Sequence, residues 1–321
     1  YERPMPQGLL LRGLPDLGYV SPKHIFETGD IRQNPANNAP IGTGPFKFVE
    51  LKMNEGVKLV RNANYWKKGR PYLDAIEYTI IPDRSTRMLS FASGKYDMTF
   101  PSDVTVPLLK NLKRDAPHVQ CTMRATGVST NLIVNRETPP FDDPRIRRAM
   151  ALTLDRQAFI DILSEGEAQM GGAMLPPPNG VWGLLPDMLE GIVGYGDVAK
   201  SREEARALMR QAGYGPDKRL KIKVSTRNLA TYRDPATILI DHLKHIYIDG
   251  ELEVIDTSIY YNRVFKKDYV VALNLTGSAV DDPDVAFFDG YACGSLRNYN
   301  NYCSPEMTKL FEEQSREVDD V

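Results

Sequence analysis

Apolar positions divide the chain into a first part that predicts mainly strands and a second part in which helices and strands alternate. In the first part, alternating or clustered β-forming residues predict strands over 46–51, 57–60, 75–81, 96–100, 119–124 and 129–134. In the second part, helical spacing starts after residues 143, 155, 201 and 234, and strands are predicted at 220–224 and 252–255. The strand–helix–strand order between 219 and 255 favours a βαβ unit and an α/β fold.

Helix-capping residues mark the boundaries of the predicted helices. The expected N-caps are Asp83, Asp143, Asp155, Ser201 (with Glu204 completing a capping box) and Asp234 (followed by Pro235). Residues 166–200 lack periodicity and are rich in glycine and proline. Because structureless loops of this length are usually functional, we expect this loop, which contains Trp182, to contribute to a site.

The stretch from 269 to 284 changes character abruptly. An apolar strand predicted over 269–275 is followed by the small residues Thr276, Gly277, Ser278 and Ala279, and then by carboxylates that begin at Asp281. A strand that ends in small residues leaves space beyond its carboxyl end, where open α/β sheets bind ligands. Residues 276–281 are therefore predicted to form one wall of a binding site. The alternative is an ordinary loop in which Asp282 and Pro283 start a helix.

Composition and charge narrow the class of protein. The chain has 321 residues, of which 42% are hydrophobic, and a net charge of −2. It is long enough for two cores, and no apolar run approaches the ~20 residues that a membrane-spanning helix needs. Nothing in the charge indicates binding to nucleic acid or to an anionic membrane surface.

The three cysteines suggest an oxidising compartment. Cys293 and Cys303 flank a loop rich in glycine, asparagine and tyrosine, whereas Cys121 stands alone. Two cysteines around a short polar loop favour a disulfide, with a pair of free buried thiols as the alternative. No spacing typical of a zinc site is present.

The sequence motifs typical of enzymes and metal sites are absent or incomplete in this chain. The chain has no GxSxG and no HExxH, and residues 194–201 lack the second glycine of a phosphate-binding loop. His242 and His245 are three residues apart on a predicted helix, but two ligands do not make a metal site. The acidic residues 281–284 lack the spacing and central glycine of a calcium loop. We therefore expect no catalytic residue, no metal and no cofactor.

Four segments resemble one known family in the same order along the chain. The segments are PIGTGPFKFVELKMNEGVKLVRNANYWKKGRPYLDAIEYTIIPDRSTRMLSFASGKYDM at 40–98, NRETPPFDDPRIRRAMALTLDRQAFID at 135–161, SREEARALMRQAGY at 201–214, and DDPD with CGSLRNYNNYCSPEM at 281–307. They resemble the extracellular solute-binding proteins, family 5, of ABC importers, which include oligopeptide-, dipeptide- and nickel-binding members.

The resemblance implies an α/β, two-lobed periplasmic binding protein fold (class II, cluster C type) with mixed sheets and a two-strand hinge. Lobe I would comprise residues 1–130 and 276–321, lobe II residues 135–270, and the hinge strands would lie near 131–135 and 272–276. It also implies a periplasmic protein, monomeric when intact, that binds a peptide or small molecule and delivers it to a membrane permease. The chain would then lack segments of lobe I at both ends.

Several side chains have the chemistry to contact such a solute. Arg227 and Asn228 follow a predicted strand, and the guanidinium suits a carboxylate. Trp182 could stack on a ligand or pack in a core, and Asn131 could bind solute or stabilise the hinge, as could Asn135. Tyr260 and Tyr261 could reach the cleft or belong to the core of lobe II.

Residue 279 departs from the pattern of the peptide-binding members. In those proteins an aspartate three residues before the acidic residue of the Asp-Pro pair holds the peptide's α-ammonium group; here that position is Ala279. A methyl group cannot form that bond, although Asp281 could take the role if the loop shifts. We therefore expect a ligand without a free amine at this position, such as an acid held by Arg227. The predicted ligand class is a peptide-like or small organic solute. The alternatives are a non-peptide ligand (an opine, a sugar or an aromatic acid) and, from another class of protein, a secreted hydrolase.

Overall fold

The computed structural model describes residues 21–100, 104–122, 127–277 and 281–317. The described residues form two compact units, a smaller one from residues 21–100 and a larger one that begins at residue 104. No helix among the described residues is long and apolar enough to cross a membrane.

The smaller unit is built around a three-stranded antiparallel meander. Its elements are helix α1 (Lys23–Phe26), two 3₁₀ turns (Ile31–Gln33 and Pro35–Asn38), strands β1 (Phe46–Lys52), β2 (Gly56–Arg61) and β3 (Ala75–Thr79), and helix α2 (Arg84–Ala92). Asn54 adopts a φ of 63° in the β1–β2 turn. A Cβ at Gly56 would lie 2.2 Å from the carbonyl oxygen of Tyr78, so only glycine lets β3 approach there. The predicted hairpin is therefore correct.

The larger unit contains a four-stranded mixed sheet covered on both faces. Its helices are α3 (Val106–Asp115), α4 (Pro144–Thr153), α5 (Arg156–Ser164), α6 (Pro186–Leu189), α7 (Val198–Gln211), α8 (Ala230–Lys244), α9 (Thr257–Phe265), α10 (Pro283–Tyr291) and α11 (Pro305–Gln314), and its strands are β4 (Val128–Val134), β5 (Leu220–Arg227), β6 (Ile248–Ile255) and β7 (Val271–Gly277). The strand order is β4-β7-β5-β6. β5 runs parallel to β6 and β7, and β4 pairs antiparallel with β7.

Alternation along the strands sends side chains to two separate apolar clusters. On one face, Val224, Val271 and Leu273 pack with buried residues of α4, α7 and α8. On the other face, Ala272 and Ile133 pack with a smaller, tyrosine-rich cluster that includes residues of α9. Because successive residues of a strand face opposite sides, β4, β6 and β7 contribute to both clusters.

Two predicted helix starts are wrong. Helix α7 begins at Val198, because the carboxylate of Asp197 accepts a hydrogen bond from the backbone N–H of Lys200 at 2.7 Å. Ser201 therefore lies inside the helix and does not cap it. Helix α8 begins at Ala230, so Pro235 lies within it instead of opening it.

Four further segments differ from the predictions. Residues 96–100 and the described residues 119–122 form no strand, and strand β6 begins at 248 instead of 252. The loop predicted over 166–200 contains the short helix α6 and ends at the cap of α7.

Candidate functional site

The candidate site lies at the carboxyl edge of the larger unit's sheet. The parallel strands β5 and β7 both end there, with Arg227 at the end of β5 and Gly277 at the end of β7. The antiparallel strand β4 begins at the same edge, since Val128 pairs with Gly277. The predicted residues Arg227, Thr276 and Gly277 therefore share one edge of one sheet, where α/β folds commonly bind ligands.

Arg227 is held between two tyrosine rings. Its guanidinium carbon lies 4.7 Å from the ring centre of Tyr232 and 5.2 Å from that of Tyr261. Its Nη1 donates a hydrogen bond to the hydroxyl of Tyr232 at 2.8 Å, and that hydroxyl lies 3.4 Å from the hydroxyl of Tyr261. Burial, together with the contact to Tyr232, raises the pKa of Tyr261 to about 12, so this phenol stays neutral near pH 7. Two aromatic faces and a phenol hydroxyl thus hold the cation in place.

One edge of the Arg227 guanidinium has no hydrogen-bond partner among the described residues. Its Nε is buried without such a partner, and no described carboxylate forms an ion pair with this side chain. The Nε and Nη2 hydrogens form the side-on fork that binds carboxylates with two parallel hydrogen bonds. Arg227 is therefore positioned for an anionic group that the described protein does not supply.

Asn131 on β4 and Thr276 on β7 are diagonal neighbours in the ladder. The Asn131 side-chain amide donates to the hydroxyl of Thr276 and to the carbonyl of Ser129, the latter at 3.1 Å. Asn274, directly opposite Asn131 in the ladder, is 1% exposed, and its side-chain oxygen has no hydrogen-bond partner in the described part of the chain. Sequence reasoning missed Asn274, although an asparagine inside an otherwise apolar strand was a usable signal.

Trp182 and Asp281 are brought together although they are 99 residues apart. The indole Nε1 donates to the backbone carbonyl of Asp281 at 3.2 Å, and the Asp281 carboxylate accepts from the N–H of Val181 at 2.7 Å. Trp182 remains 49% exposed. The long loop is therefore fastened to the segment that follows β7, with an aromatic surface left open. The predicted site residues Ser278 and Ala279 lie outside the described residues.

The remaining candidate site residues lie either on the surface or in the core. The side-chain oxygen of Asn228 accepts from Arg233 at 3.2 Å on the surface. Tyr260 is fully buried and donates to the carbonyl of Leu273 at 3.0 Å, so it belongs to the core, whereas Tyr261 reaches Arg227. Tyr232, which sequence reasoning also missed, lies in the helical turn that precedes Pro235.

Asn135 stabilises the other end of the β4–β7 pair. It is 5% exposed, and its side-chain amide donates to the carbonyls of Lys267 and Tyr269 at 3.0 and 3.3 Å. Its side-chain oxygen accepts from Asn301 at 3.2 Å and from the N–H of Glu137 at 3.3 Å. All of its hydrogen-bonding capacity is used inside the protein, so Asn135 braces the strands and is not available to a solute.

The cysteine prediction is confirmed. Cys293 and Cys303 form a disulfide with a Cα–Cα distance of 4.7 Å, and Cys121 is a free thiol. In the described part of the chain, no group of three or more His, Cys, Asp or Glu side chains could hold a metal ion.

Burial lowers the pKa of His242, whose Nδ1 accepts from the N–H of Asp155 at 3.4 Å, and this histidine packs edge-on against Phe159.

Comparison with known proteins gives consistent results. The family model described as bacterial extracellular solute-binding proteins, family 5 Middle, matches residues 1–297. Heme-binding protein A of Haemophilus influenzae is 32% identical over 180 residues, which are 56% of this chain and 30% of that protein. The periplasmic binding protein DppA of Helicobacter pylori, solved with the peptide STSA, is 26% identical with a TM-score of 0.75, over 90% of this chain and 54% of that one.

A second solved structure resembles the chain in fold alone. OppA of Haemophilus influenzae, solved with the peptide RPPGFSPFR, is 22% identical with a TM-score of 0.80, over 93% of this chain and 57% of that one. These likenesses confirm the predicted α/β fold of the two-lobed periplasmic binding proteins. The chain spans just over half the length of these solved relatives.

Proposed function

Because the chain belongs to family 5 of the bacterial extracellular solute-binding proteins, we propose that it captures a peptide-like or small organic solute outside the cytoplasm and delivers it to the permease of an ABC importer. The relatives named above are binding proteins for heme or peptides. In this proposal the protein is periplasmic, acts without catalysis and releases its solute unchanged.

The proposed capture involves two lobes joined at β4 and β7. Lobe I would comprise residues 1–130 and 276–321, and lobe II residues 135–270. In favour of this division, β4 carries the chain into residues 135–270 and β7 carries it out again, and the two strands pair over seven consecutive residue pairs. A two-strand ribbon of this kind can bend where its side chains are small or polar, as at Asn131 and Thr276.

The proposal about the ligand rests mainly on the environment of the Arg227 side chain. A half-buried guanidinium, fixed by Tyr232 and Tyr261 and with no described hydrogen-bond partner for its Nε, suits a carboxylate. Peptides end in a carboxylate and heme carries two propionates, so this one contact is compatible with both kinds of relative. We propose that a carboxylate of the solute binds side-on to Arg227.

The opposite end of the ligand is proposed to lack a free amine. Residue 279 is alanine, which offers no charge to an ammonium group. The carboxylate of Asp281 already accepts a hydrogen bond from the backbone of Val181, which holds it toward the long loop. An ammonium buried there without a carboxylate partner would cost several kcal/mol.

Calorimetry on the full protein tests both ends of the proposed ligand. The probes are a di- to pentapeptide library, the same library N-acetylated or C-terminally amidated, and a panel of small organic acids that includes opines and aromatic acids. We expect N-acetylation to be tolerated and amidation to abolish binding. Arg227→Met should weaken binding by roughly 10- to 150-fold, which corresponds to the free energy of one hydrogen bond to a charged group. Arg233→Met, which changes a nearby arginine that contacts only Asn228 among the described residues, is the matched control.

Three results would contradict the proposal. Equal binding of amidated and free peptides would show that the ligand's carboxylate does not contribute to binding. Tight binding of free peptides that is lost on N-acetylation would show that Asp281 or another group holds an amine. Conversion of any probe during the titration, read by mass spectrometry, would instead favour the competing hypothesis of a secreted hydrolase.

A further inference from the structure

A second cleft lies at the opposite end of the β4–β7 pair from Arg227. It has a volume of about 350 Å³, within the usual range for small-molecule sites. It lies where β4 has ended and β7 has not yet begun, beside the disulfide-closed loop 293–303. Its lining residues are Glu137, Phe265, Lys267, Gly294, Ser295, Leu296, Asn298, Asn301, Tyr302 and Cys303. None of these residues belongs to the candidate site described above.

Two opposite charges face this cleft without pairing. The ammonium of Lys267 donates to the carbonyl of Asn298 and lies 5.7 Å from the ring centre of Tyr299. Glu137 uses one carboxylate oxygen to accept from Asn301 at 3.1 Å. Burial lowers the pKa of Lys267, and the negative charge of Glu137 opposes this shift only in part. The two side chains do not form an ion pair with each other. A partly buried ammonium without a carboxylate partner is unfavourable, so a ligand carboxylate placed there would be stabilising.

Apolar surface adjoins these charges. Leu296 is 72% exposed and Phe265 is 44% exposed, and both line the cleft. The ring of Tyr302 completes the wall on the side of the disulfide loop. Exposed aliphatic and aromatic side chains beside two unpaired charges form the mixed surface that small-molecule sites commonly have.

The wall formed by the disulfide loop is held firmly in place. The buried side chain of Asn298 donates to the carbonyl of Ala292 at 3.1 Å and accepts from the N–H of Tyr302 at 3.1 Å. The side chain of Asn300 accepts from the N–H of Val134 at 3.0 Å, which ties the loop to β4. Cys303, itself a lining residue, is fixed by its disulfide. A site whose wall is already ordered loses little entropy when it binds.

From this arrangement we propose that the cleft is a second ligand site, which binds a small zwitterion carrying an apolar group, such as an amino acid with a large apolar side chain. The carboxylate of the ligand binds Lys267, its ammonium binds the free oxygen of Glu137, and its apolar group packs against Phe265 and Leu296. The proposal does not depend on the function proposed for Arg227, because the two sites share no residue.

Ligand-observed NMR titration of the full protein tests this site with L-phenylalanine as the probe. 3-Phenylpropionate lacks the ammonium and 2-phenylethylamine lacks the carboxylate, so both should bind this cleft more weakly than L-phenylalanine. The three probes are compared in the Arg227→Met variant, because an aromatic acid is also a proposed ligand of Arg227. Lys267→Met and Glu137→Gln should each weaken the binding of L-phenylalanine about tenfold or more, the value of one charge-assisted hydrogen bond. The exposed neighbour Lys266 provides the matched control, and Lys266→Met should leave binding unchanged.

Other variants separate this site from the first one and from loss of folding. Arg227→Met should not affect the binding of L-phenylalanine, whereas the Cys293→Ser, Cys303→Ser double variant should reduce it. Glu137→Gln keeps an oxygen that can accept from Asn301, so it tests the charge even if Lys267→Met does not fold. The proposal is overturned if the unaltered protein shows no saturable binding of L-phenylalanine. It is equally overturned if Glu137→Gln binds as well as the unaltered protein, or if Arg227→Met alone removes binding.

Discussion

Replacing Asn135 with aspartate should destabilise the larger unit strongly at neutral pH and much less in acid. The two side chains have nearly the same shape, so packing is retained. In the native protein the Asn135 amide nitrogen donates to the carbonyls of Lys267 and Tyr269 at 3.0 and 3.3 Å. An ionised carboxylate would place an acceptor against these two acceptors in a site that is 5% exposed.

The hydrogen bonds set the expected magnitude. Asn135→Ala removes four bonds and leaves buried partners behind, which should lower the free energy of unfolding by about 2–4 kcal/mol. Asn135→Asp should cost roughly 3–5 kcal/mol near pH 7, because it adds an uncompensated buried charge. The aspartate variant should therefore be less stable than the alanine variant at neutral pH.

The pH dependence of the aspartate variant has a definite sign. Burial and the two carbonyls would raise the pKa of the introduced carboxyl in the folded state above its unfolded value of about 3.9. The folded state then binds more protons, so stability rises as pH falls through the raised pKa toward ~4. A protonated carboxyl can also donate to the carbonyl of Lys267, which restores part of the native contact.

Urea unfolding followed by circular dichroism, at pH 7 and at pH 4.5, measures both effects as differences from the unaltered protein. Asn131→Asp, on the same strand but only half-buried, is the control and should show a small and nearly pH-independent change. The bracing role of Asn135 would be refuted if both variants at this position lay within ~0.5 kcal/mol of the unaltered protein. If the aspartate variant lost the same free energy of unfolding at both pH values, the Asn135 amide nitrogen would not be the group that faces the two carbonyls.

Three further measurements follow from the fold. Replacing Cys293 and Cys303 with serine opens a loop with a sequence separation of 10, which should lower the free energy of unfolding by about 2.5–3 kcal/mol; an unchanged urea midpoint would count against a structural role. Burial lowers the pKa of His242, so its contribution to stability is complete above the unfolded pKa of about 6.5 and is lost as pH falls below it. His242→Asn, which retains an acceptor for the Asp155 N–H, should flatten the thermal stability profile between pH 7 and 5, and a profile that stays as steep would contradict this. Asp197→Ala should cost about 1 kcal/mol and Ser201→Ala a few tenths at most, and the reverse order would show that Ser201 caps α7 after all.

Local chemistry was enough to predict the elements whose boundaries are set by neighbouring residues. Asp83, Asp143 and Asp155 each cap the helix that sequence reasoning assigned to them, with side-chain oxygens that accept the first free N–H groups. The turn between β1 and β2 is likewise local, because Asn54 adopts the left-handed conformation that asparagine tolerates. The spacing of Cys293 and Cys303 was also informative, since a disulfide between them closes only a short loop.

Tertiary contacts explain where sequence reasoning failed. A proline within a helix costs about 3 kcal/mol, so the rule that Pro235 should open a helix is reasonable. The turn before it is helical because Tyr232 is held twice, by Arg227 through its hydroxyl and by Thr226 through its carbonyl at 3.2 Å. The contact between Trp182 and Asp281 joins residues far apart in sequence, and no periodicity reports on it. The setting of Arg227 therefore became visible only when the elements were assembled.

The pairing of β4 with β7 also constrains the order in which the sheet can assemble. Val134 pairs with Val271, whereas the parallel neighbours Leu220 and Ile248 are far closer in sequence. The loop closed by the first pair is about five times longer, so closing it costs ~1.4 kcal/mol more in conformational entropy. During synthesis, β5, α8 and β6 can associate as soon as they emerge, while β4 must wait with unpaired edges until more than a hundred further residues have been made. Long-range closures of this kind fold slowly, so we expect the sheet to nucleate at β5 and β6 and the addition of β4 to be the late, rate-limiting step.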